Sequence, residues 1–205
     1  MLKIYGPARS RAFRVMWMAK ELGIAYEQVP VSIIGENPEC KQDWFRAINP
    51  NCRVPAIDLD GFVMWETAAI NLHLARRAHS PLYPKTLEGE GRLLQWAFFV
   101  ASDIEPPVTT LLRQRILPAA EKPGDAAVAE ADARLRKALA ILQLQLSSAP
   151  YFAEAEWGLA DFMVASVLQI LQTLKYDLAK FPKVEAWLSA SLSRPAALEA
   201  NKMRA

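Results

Sequence analysis

The chain has 205 residues, 52% hydrophobic and 22% charged, with 24 Lys and Arg against 22 Asp and Glu. That length suits one domain or two small ones and can bury a sizeable core. The first eighty residues hold ten basic against eight acidic side chains, and the remainder is balanced at fourteen each. Such a distribution leaves no electrostatic footprint for nucleic acid or an anionic membrane. Two cysteines, Cys40 and Cys52, and two histidines, His73 and His79, lack the spacing of a metal site or a redox CxxC pair. The opening MLKIYGPARSRAF has no apolar signal core, and no run approaches about 18 apolar residues. A cytoplasmic protein with no metal is expected.

In chain order, Leu2 to Tyr5 reads as a short apolar strand that stops at Gly6-Pro7. A helix follows from about Ser10 to Leu22, with Ser10 as its N-cap and Gly23 as its left-handed C′ residue. Phe13, Met16, Trp17 and Lys20 fall on one side of it at three-to-four spacing. Tyr26 to Val31 reads as a second strand. The stretch from Asn49 to Leu74, NPNCRVPAIDLDGFVMWETAAINLHL, then organises the first half of the chain. It contains a Val54-Pro55 step, a strand from Ala56 to Leu59, a turn at Asp60-Gly61 and a strand from Phe62 to Trp65. Asp-Gly between two apolar runs predicts a hairpin, because both positions tolerate positive φ. A helix begins at Glu66-Thr67, where the first amides point outward at the positive end of the helix dipole. A backbone edge at Val54 and this polar helix start would converge on one spot. That spot suits a small extended peptide carrying a carboxylate.

The stretch AHSPLYPKTLEGEG, starting at Ala78, holds two Pro, two Gly and little periodicity. It divides the chain into an α/β domain (1–78), a linker (79–91) and an all-helical domain (92–205). Arg92 to Leu117 reads as one long helix interrupted or kinked at Pro106-Pro107. A helix after Pro123-Gly124 carries Val128, Leu135, Leu139, Leu142 and Leu146 at helical spacing. Gly158 to Leu174 is apolar nearly all round, the mark of a central buried helix. Two short helices close the chain, from Pro182 and from Arg194-Pro195. Trp96, Phe98 and Phe99 read as core or interface rather than a substrate box.

The motif N-P-x-x-K/R-V-P, followed by a hairpin and E-S/T, resembles the glutathione-binding half of cytosolic glutathione S-transferases. PYFAEAEWGLADFMVASVLQ resembles the start of that family's central helix, and FPKVEAWLSASLSRPA its closing segment. The resemblance covers nearly the whole chain and is nearest to bacterial, theta- and beta-like, serine-type members. Two departures stand in the central-helix motif. Glu154 replaces the usual Gly, and Gly158 replaces the Ser or Thr that pairs with Asp161, which costs a few tenths of a kcal/mol in capping.

The resemblance implies a thioredoxin-like domain with βαβ then ββα order and a mixed sheet, followed by an all-α domain. It implies a homodimer that activates the thiolate of glutathione for attack on a small electrophile, with glutathione as co-substrate and no other cofactor. Pro55 would be cis, and Val54 would pair through its backbone with the cysteinyl part of glutathione. Glu66 and Thr67 would hold the γ-glutamyl carboxylate. Arg53 would hold the glycyl carboxylate, against the alternative of an exposed loop arginine. Ser10 would donate a hydrogen bond to the sulfur, or else serve only as a helix cap. Arg9 and Arg11 add positive charge there, and a drop of about two units in the thiol pKa would correspond to roughly 2.7 kcal/mol. Tyr5 is the rival hydroxyl, one that does not align with the family's catalytic tyrosine without a gap. Asp103 would cross the dimer interface to the γ-glutamyl ammonium of the other subunit. Pro107 and Thr110, on the same helical face, would line the electrophile pocket. The rival activities are a glutathione-dependent disulfide reductase, peroxidase, isomerase or dehalogenase, and a non-catalytic glutathione-binding protein of the same fold.

Overall fold

The computed structural model describes residues 1–204. It divides into two compact units: residues 1–80 with those from Ser193 onward, and residues 81–192.

In the first unit β1 (Leu2–Tyr5), α1 (Ala12–Glu21) and β2 (Tyr26–Val29) form a βαβ unit. A 3-10 turn (Glu39–Lys41) and α2 (Asp43–Arg46) lead to the hairpin β3 (Ala56–Leu59) and β4 (Phe62–Trp65), then α3 (Thr67–Arg77). The sheet order is β2-β1-β3-β4. β1 and β2 are parallel, with Leu2 opposite Tyr26, as the helical crossover requires. β1 and β3 are antiparallel, as are β3 and β4. The mixed thioredoxin-like sheet is therefore present as expected. β2 stops at Val29 rather than Val31, because Pro30 has no N–H to give the ladder. Asp60 and Gly61 both take positive φ, 54° and 88°, and the Asp58 carboxylate accepts the Gly61 N–H at 2.7 Å.

Leu2, Ile4, Val15, Met16, Ile57, Ile70 and Leu74 form the core beneath this sheet. α1 is buried on more than one face: every residue from Ala12 to Ala19 lies inside. The cause is a helix from Pro195 to Lys202 that packs along it. Arg194, at the start of that helix, grips the buried Glu21 carboxylate with two nitrogens, at 2.9 and 2.8 Å. The expected all-helical domain of 92–205 therefore gives up its last segment to the first unit.

The second unit holds α4 (Leu87–Phe99), α5 (Glu105–Ile116), α6 (Asp125–Ser148), α7 (Leu159–Leu168), α8 (Ile170–Leu174) and α9 (Pro182–Leu192), so the closing helix is α10. α4 starts at Leu87, five residues before the expected Arg92. Thr86 caps it by accepting the Gly89 N–H at 3.0 Å, and Glu88 and Glu90 sit at its positive end. The long helix is interrupted just before the prolines, by a π-helical turn from Val100 to Ile104. Pro106 would clash with the carbonyl of Ser102 in an α-helix. Here that carbonyl turns out and accepts from Arg134 of α6 at 3.2 Å. The prolines fall in the first turn of α5, where a missing N–H is harmless.

All ten residues of α7 are buried, as its composition predicts. A ladder of rings, Trp96, Phe152 and Trp187, stacks edge-on at 4.7 and 4.9 Å. Trp96 is thus core, whereas Phe98 is 71% exposed. Asp161 lies 1% exposed and accepts from the Gly158 N–H at 3.2 Å and the Trp187 indole at 2.9 Å. Burial outweighs these donors and pushes its carboxyl up to about 6. No helix among the described residues is long and apolar enough to cross a membrane.

Candidate functional site

One end of the sheet collects most of the expected residues. Tyr5 faces Ala56 across the ladder, and Ala56 faces Trp65. The residues just beyond those positions are Gly6, Pro55 and Glu66, which therefore line up side by side. Helices α1 and α3 both begin at this end.

The loop before Pro55 is held from below by Asn49, which is 2% exposed. Its side-chain N–H donates to the Arg53 carbonyl at 2.7 Å, and its oxygen accepts the Asn51 N–H at 3.0 Å. The loop closes through Cys52, at φ 55°, whose N–H donates to the Asn49 carbonyl at 2.9 Å. The Cys52 sulfur beside Arg46 raises that guanidinium above its ordinary value. Arg53 points its side chain into solvent. The Val54-Pro55 bond is cis, and the β3 ladder starts only at Ala56, so the Val54 main chain stands outside it.

Gly6 lets this loop approach α1. At φ 129° it takes a conformation that L side chains rarely adopt, and a Cβ there would come 2.9 Å from Val54 Cβ and 3.0 Å from Ala12 Cβ. Val54 and the first turn of α1 are therefore neighbours with only a glycine between them.

Ser10 stands half-buried one position before the helix cap, which is Arg11 rather than Ser10 itself. The reason is a run of tight turns: Ser10 N–H donates to Pro7, Phe13 N–H to Ser10 and Arg14 N–H to Arg11, at 2.9, 3.2 and 3.1 Å. The Ser10 hydroxyl accepts the Ala12 N–H at 3.1 Å and donates to the Pro7 carbonyl at 2.7 Å. Its side chain thus satisfies a helix-start amide, though not in the N-cap geometry.

Glu66 occupies the cap position of α3 with φ 77° and ψ 112°, and no side chain caps the helix. A non-glycine residue in that region stores about 1–3 kcal/mol of strain, and such strain gathers at binding sites. Glu66 is exposed and Thr67 half-buried, and the first amides of α3 face outward beside them. This is an anion-binding arrangement with a backbone edge at Val54 adjacent to it.

The remaining residues lie in the second unit. Asp103 is exposed in the π turn, and its carboxylate accepts the Ser102 hydroxyl at 2.6 Å. Pro107 is buried, and Thr110 is half-buried with its hydroxyl on the Pro106 carbonyl at 3.2 Å. Sequence reasoning assigned no role to Gly6 or Asn49. Their signals were the Gly-Pro step after β1 and the Asn of the N-P motif.

Family comparison places this geometry in context. The model of the glutathione S-transferase N-terminal domain matches residues 9–77, and that of the C-terminal domain matches residues 94–195. Glutathione S-transferase 3 of Zea mays is 32% identical over 205 residues, spanning 95% of this chain and 90% of its own. The crystal structure of a Pseudomonas fluorescens glutathione S-transferase matches with a TM-score of 0.85 and 28% identity, over 95% of this chain and 96% of that one. Glutathione S-transferase-I bound with lactoylglutathione matches at 0.89 and 25% identity, over 98% of this chain and 99% of that one. With both domain models in sequence order and a full-length relative at this identity, the chain belongs to the glutathione S-transferase family.

Proposed function

We infer that the protein is a serine-type glutathione transferase that holds glutathione along the sheet end defined by Gly6, Pro55 and Glu66. The observation that carries this reading is the close approach of Val54 to the start of α1 through Gly6, with the strained, uncapped start of α3 beside it. Val54 pairs with the cysteinyl backbone of glutathione. Glu66, Thr67 and the first amides of α3 take the γ-glutamyl group, and Arg53 takes the glycyl carboxylate. The sulfur then falls toward the start of α1, where Ser10 and the nearby arginines favour its thiolate. Attack on an electrophilic carbon follows, with glutathione consumed as co-substrate.

The functional unit is a homodimer. Phe62, Val63 and Trp65 of the edge strand β4 are 50%, 43% and 37% exposed, and Phe98 and Leu94 of α4 are 71% and 37% exposed. Exposed aromatic groups of this size are what an interface buries. Asp103 meets the γ-glutamyl ammonium bound by the other subunit.

Thr67→Ala tests the anchor. It removes a hydrogen bond to a carboxylate worth about 1.5–3 kcal/mol, so glutathione affinity should fall on the order of 10- to 150-fold by calorimetry. Unchanged affinity in a folded variant would refute the assignment. Turnover of mixed disulfides or hydroperoxides without turnover of aryl halides would replace conjugation by redox chemistry.

A further inference from the structure

The buried stripe of α3 contains one residue that packing does not explain. Ile70, Asn71, Leu74 and Ala75 are the buried residues of this helix. Ile70 and Leu74 join Ala12, Val15, Met16 and Ala19 of α1 and Ile57 of β3 in one apolar core. Asn71 is as deeply buried, at 1% exposure, yet neither its Nδ2 nor its Oδ1 has a hydrogen-bond partner. A buried amide with both atoms unpaired destabilises a fold, and a leucine of similar size would not.

The direction of the side chain points to its partner. In a helix the Cα–Cβ bond tilts toward the N-terminus, so Asn71 leans over the turn that precedes it. The residue four positions earlier on that face is Thr67, half-buried in the first turn of α3. On a regular helix the β carbons of such a pair are about 5–6 Å apart, a gap that an amide and a hydroxyl close between them. The Thr67 hydroxyl has one proton, and a carboxylate at the helix start takes it. Its oxygen then has room to accept an N–H from the turn below, where Asn71 stands. Asn71 itself lies too deep to touch a ligand.

We propose that Asn71 is a positioning residue for the γ-glutamyl carboxylate: its Nδ2 donates to the Thr67 hydroxyl oxygen and so aims the Thr67 proton at the ligand. The inference rests on the glutathione-transferase reading of this sheet end, in which Thr67 holds that carboxylate. The bond forms as the Thr67 hydroxyl turns to the ligand, so part of the gain on binding is made inside the helix. Asn71 thus trades stability of the fold for grip on the substrate.

The test is a double-mutant cycle read by calorimetry with S-hexylglutathione, which carries the same γ-glutamyl group. Asn71→Leu should weaken binding about 2- to 10-fold, the worth of one neutral hydrogen bond. In a Thr67→Ala background the same substitution should change affinity by less than about twofold, because the relay is already broken. Asn71→Leu should also raise the KM for glutathione by the same factor with kcat unmoved, and shift the denaturant midpoint upward. An equal loss in both backgrounds, or no loss beside Thr67, overturns the proposal and leaves Asn71 a residue that only shapes the helix. A midpoint that falls overturns it too, since the amide would then be paired within the fold. Should the leucine variant not fold, Asn71→Ala completes the same cycle. If Thr67→Ala alone binds as tightly as wild type, the γ-glutamyl assignment fails, and this inference with it.

Discussion

The position of the Ser10 proton sets the size of its effect on a bound thiol. Its hydroxyl already donates to the Pro7 carbonyl at 2.7 Å while accepting the Ala12 N–H at 3.1 Å. To donate to a thiolate the hydroxyl must leave Pro7, which costs about 0.5–1.5 kcal/mol. A hydrogen bond to a charged acceptor returns about 1.5–3 kcal/mol. The net preference for thiolate is about 1–1.5 kcal/mol, or about one pKa unit, half of what an uncommitted hydroxyl would be expected to supply. Ser10→Ala should therefore raise the pKa of bound glutathione by about one unit. The pH profile of kcat/KM should move upward by the same amount, costing up to about tenfold at neutral pH and little at high pH. Glutathione affinity should change little, because the proposed function assigns the hold on the peptide to Val54, Glu66 and Thr67. The assay is the pH–rate profile together with ultraviolet titration of the bound thiolate. If stability falls by the 0.5–2 kcal/mol typical of a lost helix-start hydroxyl while both titrations stay put, Ser10 is structural only. The backbone amides and arginines would then carry the thiolate.

Other expectations concern stability and assembly. At Gly158 a Cβ would come 3.3 Å from the Leu82 carbonyl, and this crowding is common to Ala and Ser. Gly158→Ser should exceed Gly158→Ala by about 1 kcal/mol in unfolding free energy, because only Ser caps α7; equal stability would refute the capping argument. Asp161, raised to about 6, is favoured by folding in its neutral form, so its contribution is full below pH 3.8 and is lost as pH rises through 6. The stability advantage of wild type over Asp161→Asn in denaturant unfolding should thus shrink by about 2 kcal/mol between pH 4 and 7, and a constant difference would contradict it. The protein should sediment as a dimer that Phe98→Glu dissociates; an unchanged sedimentation profile would remove α4 from the interface.

Local chemistry carried much of the fold into the sequence. The Asp60-Gly61 hairpin, the Gly23 helix stop and the all-round apolar α7 are each set by a few adjacent residues. The sheet-end site was legible for the same reason, since Val54-Pro55 and Glu66-Thr67 lie within one hairpin. What escaped was non-local. Nothing in the periodicity of Pro195–Lys202 says that it lies on α1, because that choice depends on Glu21 and Arg194 meeting across the chain. The fit of Gly6 between Val54 and Ala12 is likewise a three-segment contact. The early start of α4 was hidden by its Gly89 and Gly91, although Thr86 and the acidic residues after it were a usable cap signal.

The π turn from Val100 to Ile104 also constrains how the chain can vary in length. Such a turn is an α-helix with one residue inserted, and deleting one residue would close it into regular geometry. The deletion would rotate everything upstream by about 100° relative to α5. Phe98, now turned outward, would exchange orientation with neighbours such as Trp96, whose indole holds the Phe152 carbonyl at 2.8 Å. Closure would also return the Ser102 carbonyl to the path of a proline ring and strip Arg134 of its acceptor. The insertion thus acts as a phase lock: helix α4 keeps its buried and exposed faces only at the present residue count, so related chains should vary in length at the loops before α4 and after α5 rather than between them.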